Sequence, residues 1–196
     1  MRYKILVIFL LIIGVAIMCT GCGNSADFKY ETYSGKDPAL DITMDYIAGW
    51  QYTEHRSVVS GFAQVSLVEF PEKKGKILRA GMSVAIKEST KVKVASPTVE
   101  NVTEDLIEKT LKFSNAKVVS QTKTKLLDEK AIDVLFSYKT LDKFHRIKST
   151  IVPVKERIII CKKNNKFYTV RYINTAGDFD RCNKAFSHII KTIKLK

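Results

Sequence analysis

Cys19 and Cys22 stand three apart, the spacing of a redox or metal-holding thiol pair. That chemistry needs a thiolate, stabilised where a strand hands over to a helix N-terminus inside a folded α/β unit. Here the pair instead sits where a wholly apolar run gives way to Gly23-Asn24-Ser25, so its spacing is accidental. Cys161 and Cys182 are the remaining cysteines, and two readings stay open for them. They could form a disulfide bridge, or both could be small buried apolar side chains. His55, His145 and His188 are far apart and match neither H-x-x-x-H nor H-E-x-x-H, so no metal site and no cofactor is implied. Gly35-Lys36 and Gly75-Lys76 lack the rest of a phosphate loop, and Ser60-Gly61 lacks the partner glycine of a nucleophile elbow. Asp41, Asp45 and Asp133 fall opposite apolar rows, as the wet side of a sheet does, and Glu54-His55 reads as a solvated loop pair. No catalytic residue is assigned.

The segment before the cysteine pair explains it. Arg2 and Lys4 precede Ile5 to Met18, which carry no polar side chain, the pattern of an export signal. A membrane-crossing helix needs about 20 apolar residues, and this run ends short of that. Cys19-Thr20-Gly21-Cys22 resembles the lipobox of bacterial lipoproteins, with Cys19 standing where that motif usually has leucine. The resemblance implies a cleaved signal peptide over 1–21, a diacylated Cys22 at the new N-terminus and a lipidated tether over 22–36. An uncleaved N-terminal anchor is the alternative. Each buried acyl methylene contributes of order 0.8 kcal/mol to membrane affinity, so two or three chains hold a domain firmly.

The chain has 33 Lys and Arg against 20 Asp and Glu. Removing Arg2 and Lys4 with the leader leaves 31 bases against 20 acids, a net +11. Such a charge suits anionic lipid head groups, acidic envelope polymers or an acidic protein face. Export, and the absence of a recognition helix or of RNP-style aromatics, argue against nucleic acid.

Residues 37–196 are long enough for one domain with a single core. Leu40, Ile42, Met44 and Tyr46 alternate with polar residues and predict a strand that closes at Ala48-Gly49-Trp50. Phe62 to Phe70 is a second apolar run, followed by an exposed turn at Lys73-Lys74-Gly75-Lys76, and Ala80 to Ile86 alternate again. Ser96-Pro97 opens a helix with Ser96 as N-cap, placing Val99, Val102, Leu106 and Phe113 on one side, flanked by Ile107 and Leu111. Strands follow from Val118, through a turn at Leu127–Lys130 into Ile132–Tyr138, over Arg146–Cys161 with a break at Pro153, and over Phe167–Asn174 after an Asn164-Asn165 turn. A last helix beginning near Thr175–Asp178 carries the stripe Phe179, Cys182, Phe186, Ile189, Ile190 and Ile193. Consecutive hairpins interrupted by two helices give an α+β fold, an antiparallel β-sheet flanked by helices.

Ile42–Trp50, Phe167–Tyr172 and Phe179 … Phe186–Ile193 together resemble the PsbP-like superfamily over about residues 28–196, with Ile47 where that family has a turn proline. The resemblance implies an α-β-α sandwich and an accessory or binding role rather than catalysis. Many bacterial members of that family are lipoproteins. Nothing in the chain matches an ion-retention motif, so the photosynthetic role does not carry over. The expectation is therefore a non-catalytic binding module at the cell envelope, on the extracytoplasmic side. Its partners would be the membrane, through the anchor, and a protein complex or anionic envelope component. A second reading is a small-ligand binder or enzyme with a pocket between sheet and helix, lined by Tyr46, Trp50 and Tyr172.

Overall fold

Ile158, Ile159, Ile160 and Cys161 are consecutive and all buried, so this stretch of strand has no face turned to water. The computed structural model describes residues 28–69, 80–94, 96–142 and 150–196, and it puts that strand near the middle of a seven-stranded antiparallel sheet. The strands of the chain are β1 (Tyr30–Ser34), β2 (Ile42–Ile47), β3 (Gln51–Ser57), β4 (Phe62–Val68), β5 (Gly81–Glu88), β6 (Ser114–Leu126), β7 (Glu129–Asp142), β8 (Thr150–Lys163), β9 (Lys166–Thr175) and β10 (Lys194–Leu195). The helices are α1 (Val99–Thr110) and α2 (Phe179–Thr192). The large sheet has the order β3-β4-β5-β9-β8-β7-β6, and a small sheet has the order β1-β2-β10.

Alternation along the strands divides the interior in two. Ile132, Val134, Phe136, Tyr138, Val154, Ile158 and Ile160 pack on the α1 side. Ala131, Ile159, Cys161, Tyr168, Val170 and Tyr172 face the other side, where α2 and the small sheet cover them. The result is the expected α-β-α layering, with one outer layer made of a helix and a short second sheet. On α2 the buried stripe is Phe179, Cys182, Ala185, Phe186 and Ile189, with Ile193 at the C-cap; Ile190 is only partly buried.

The expected turns are built by backbone geometry. Leu127 and Asp128 have φ of 55° and 64°, and Asn164 and Asn165 have 49° and 57°. Two successive positive-φ residues match the twist of a two-residue hairpin. Pro153 lies inside β8, yet its carbonyl accepts from Ala176 N, on the side toward β9, where the strand pairing has just ended. Its missing N–H faces that same side and leaves no β7 carbonyl unpaired.

Three expectations change. The helix starts two residues later than expected: Ser96 takes φ 48°, and it is the Thr98 side chain that accepts from Asn101 N at 3.1 Å. An N-cap needs extended backbone; Thr98 has it, with φ −100° and ψ 168°, and Ser96 with its positive φ does not. Residues 28–36, read as tether, already belong to the fold, because β1 pairs with β2 from Tyr30↔Ile47 to Ser34↔Thr43. Glu54 and His55 lie on edge strand β3 rather than in a loop. Residues 1–27, including Cys19 and Cys22, lie outside the described residues, as do Lys73–Lys76, His145 and the start of the Arg146–Cys161 segment.

The two ends of the large sheet differ. The described chain begins at Phe28, and Lys29 O accepts from Ala48 N beside the start of β3. Val68, Gly81 and Thr175 mark this entry end, while Ser57, Glu88, Lys166 and Leu126 mark the far end. Phe186, fully buried where α2 meets β9, tests the packing: Phe186→Ala is expected to cost about 3–5 kcal/mol in chemical denaturation, and a loss below about 1 kcal/mol would show that α2 is not docked as described.

Candidate functional site

Tyr46, Trp50 and Tyr172 are buried together in the core on the α2 side, at 7%, 8% and 0% exposure, and line neither depression described below. The two tyrosine hydroxyls are already used. Tyr46 donates to Glu31 Oε2, and Tyr172 donates to Phe179 O at 2.7 Å while accepting from Asn174 Nδ2 at 3.2 Å. Of the two readings of Cys161 and Cys182, the structure has the unbridged one, with both thiols buried. Burial pushes the Cys161 thiol up to about 12. His188 is not a free helix residue: it stacks on Tyr30 at 4.0 Å, and its Nε2 lies 3.1 Å from Asp45 Oδ2.

The charged groups beneath the surface are matched with partners. Arg157 places Nε and Nη2 on Asp133 and Nη1 on Asn183 and Ser187, tying the sheet to α2. Glu156, buried on the α1 side, accepts from Tyr138 at 2.9 Å and from Arg171. A carboxylate so occupied holds structure, because removing either partner would strand a buried charge. Among the described residues no cluster of His, Cys, Asp and Glu could hold a metal ion.

The far end of the sheet carries a crevice of about 240 Å³. Its floor is Phe62, Ala63 and Ile86, and the β1–β2 loop closes one side with Pro38 and Ala39. Its rim holds Arg56, Glu88 and Lys166. Arg56 Nη1 lies 3.1 Å from Asp37 Oδ1, and Lys166 Nζ lies 3.1 Å from Asp41 Oδ2. These pairs draw the small sheet onto the large one. Two residues along β9 from Lys166, the buried Tyr168 hydroxyl has no hydrogen-bond partner among the described residues, and neither does Asp41 Oδ1. Unmatched buried polar atoms are uncommon, and neither residue lines the crevice. Burial, then the Asp41 carboxylate, then Cys161, push Tyr168 up to about 12.

Beside the crevice projects the β3–β4 hairpin tip, where Val58 and Val59 are 73% and 89% exposed. Gly61 closes the tip with φ +55°, and a Cβ there would press on the Glu88 carboxylate. A wider depression of about 830 Å³ lies at the same end on the α1 side, lined by Lys123, Lys125, Lys130 and Lys162 with Glu100 and Glu129. Both cations of the crevice, Arg56 and Lys166, are paired with carboxylates. The arrangement can grip a partner's side chain or a small polar group. Sequence reasoning missed it, because the crevice joins residues 38 to 166 from five separate segments. The Val58-Val59 pair between serines was the one local signal.

No family model matches the chain, and no curated protein sequence matches it. Solved structures do. Cyanobacterial PsbP (CyanoP) from Synechocystis superposes with a TM-score of 0.56 at 12% identity, over 90% of this chain and 98% of its own. LpqN, involved in cell envelope biogenesis of Mycobacterium tuberculosis, gives 0.53 at 8% identity, over 87% and 92%. The Ran-binding protein Mog1p from Saccharomyces cerevisiae gives 0.50 at 12%, over 86% and 96%. At such identities the likeness shows the fold, which is α+β and PsbP-like.

The buried hydroxyls and thiol set an alkaline limit on this end. In the fold Tyr168 and Cys161 are each raised to about 12, from ordinary values of 10.0 and 9.0. Both are therefore held neutral, and their contribution to stability is complete below about pH 9 and lost as pH climbs toward 12. The denaturation midpoint is expected to fall steadily across that window, and a flat midpoint would contradict the burial of these groups.

Proposed function

We propose that the protein is an extracytoplasmic lipoprotein, anchored through a diacylated Cys22, that serves as a non-catalytic accessory module for a membrane or envelope complex. The observation that carries this reading is the junction in the chain. An apolar run from Ile5 to Met18 ends at Cys22, and the folded domain begins only a few residues later at Phe28. Within the domain, carboxylates that could do acid–base work are spent on Arg157, Arg171, Lys166 and Arg56. The same fold serves LpqN in envelope biogenesis and Mog1p in Ran binding, which favours docking over bond making.

In this account the far end, with its crevice and the Val58-Val59 tip, receives the partner. It lies at the opposite end of the sheet from the point where the tether enters. A second reading rests on the crevice itself: it holds a small polar ligand between Arg56, Glu88 and Lys166, at a volume fit for a group no larger than an amino acid. The anchor is tested by growing cells with a palmitate analogue. Wild-type protein is expected to take up the label and Cys22→Ala to take up none. Unlabelled wild type, or a labelled Cys22→Ala, would reject lipidation at this residue.

A further inference from the structure

From Lys109 to Leu127 the chain has five lysines and no acid. The structure folds this stretch into the end of α1 and edge strand β6. Leu111, Phe113 and Val119 are 46%, 50% and 49% exposed, and Ile151, at the entry end of β8, is 62% exposed. These are four of the seven exposed large hydrophobic residues among those described, and they gather around one corner of the sheet. Ser114 pairs with Lys139, Lys139 pairs with Pro153, and Ile151 lies two residues beyond it, so the corner is continuous across β6, β7 and β8. Lys112, Lys117 and Lys139 are exposed around it. Lys109 is occupied by Asp105, Glu108 stands beside it on α1, Asp142 ends β7 next to Ile151, and the other acids toward this end among the described residues are Glu31, bonded by Tyr46, Glu69, paired with Arg181, and Asp178 and Asp180 at the start of α2.

We propose that this corner docks on an anionic lipid bilayer, an inference that rests on the Cys22 anchor and adds the orientation of the domain. Three observations favour a bilayer. The tether, residues 22–27, enters at this same end of the sheet, beside the opposite edge strand β3, and its extended reach of roughly 20 Å holds that whole end, the corner included, toward the membrane surface. Tethering raises the local concentration so far that a small, weak patch is enough to engage. The edge is also poorly suited to pairing with a partner strand. The β6–β7 register shifts between Ser114 and Lys117 and again between Val118 and Ser120, and bulges with lysines are how sheet edges resist strand addition. The second shift carries Val119, which adds an apolar side chain to the exposed edge. Apolar side chains among unpaired lysines fit the boundary between acyl chains and anionic head groups.

The test uses the lipidated full-length protein in vesicles made of equal parts phosphatidylglycerol and phosphatidylcholine, with pure phosphatidylcholine vesicles for comparison. A polarity-sensitive dye is placed on Leu111→Cys, Ile151→Cys or, at the far tip, Val59→Cys. The buried native thiols stay unlabelled. Dyes at residues 111 and 151 are expected to shift to the blue on anionic vesicles and to return in high salt or in a Lys112→Glu, Lys117→Glu, Lys139→Glu variant, while the dye at 59 does not move. A protein that floats with the vesicles but shows no shift at 111 and 151, or an equal shift at 59, overturns the proposal. Loss of flotation itself overturns the anchor reading, and the proposal with it, and is read separately from the dyes.

Discussion

The constraint on which the structure depends is that residues 158–161 of β8 are apolar on both faces. Ile158 and Ile160 need cover on one side, and Ile159 and Cys161 need it on the other. Burying a side chain of this size contributes about 1.5–3 kcal/mol, and leaving either row in water would forfeit that. One helix cannot serve both sides. The chain therefore spends α1 on one face and α2 with β1, β2 and β10 on the other, and the α+β layering follows.

Covering both faces leaves function to the ends and edges. The polar groups drawn into the layers are matched there: Arg157 against Asp133 and α2, Glu156 against Tyr138 and Arg171. A domain built this way has little free chemistry inside it. It has two ends of different character instead, one with a crevice and a projecting apolar hairpin, the other with the start of the described chain and the first residues of the lysine-bearing edge strand β6. An accessory protein at a membrane needs a division of that kind, with one end held and the other presented.

The elements legible in the sequence were those with one clear face or a turn of fixed chemistry. Ile42 to Tyr46 and Ile132 to Tyr138 alternate cleanly, and Asn164-Asn165 tolerates positive φ, so each was read correctly. β1 and β3 were missed because they are peripheral: Tyr33 is the one fully buried residue of β1, and no residue of β3 is fully buried, so neither shows a period of two. The α1 cap was misplaced because Ser96 and Thr98 are both residue types fit for it, and only their backbone geometry separates them. Tyr46, Trp50 and Tyr172 illustrate a deeper ambiguity, since aromatic residues suit a pocket wall and a core equally until the covering element is known. The crevice was not legible at all. Its walls come together only when the small sheet closes on the large one through Arg56–Asp37 and Lys166–Asp41.

The central claim, a tethered module that presents its far end to a partner, is tested most directly by photo-crosslinking in intact cells from a probe at Val59, with Cys22→Ala as the control. The account predicts one dominant crosslinked species that depends on Cys22 and is missing when the same probe is placed at Lys139 on the entry side. A probe at Val59 that captures nothing, or a product that persists unchanged without Cys22, would contradict it.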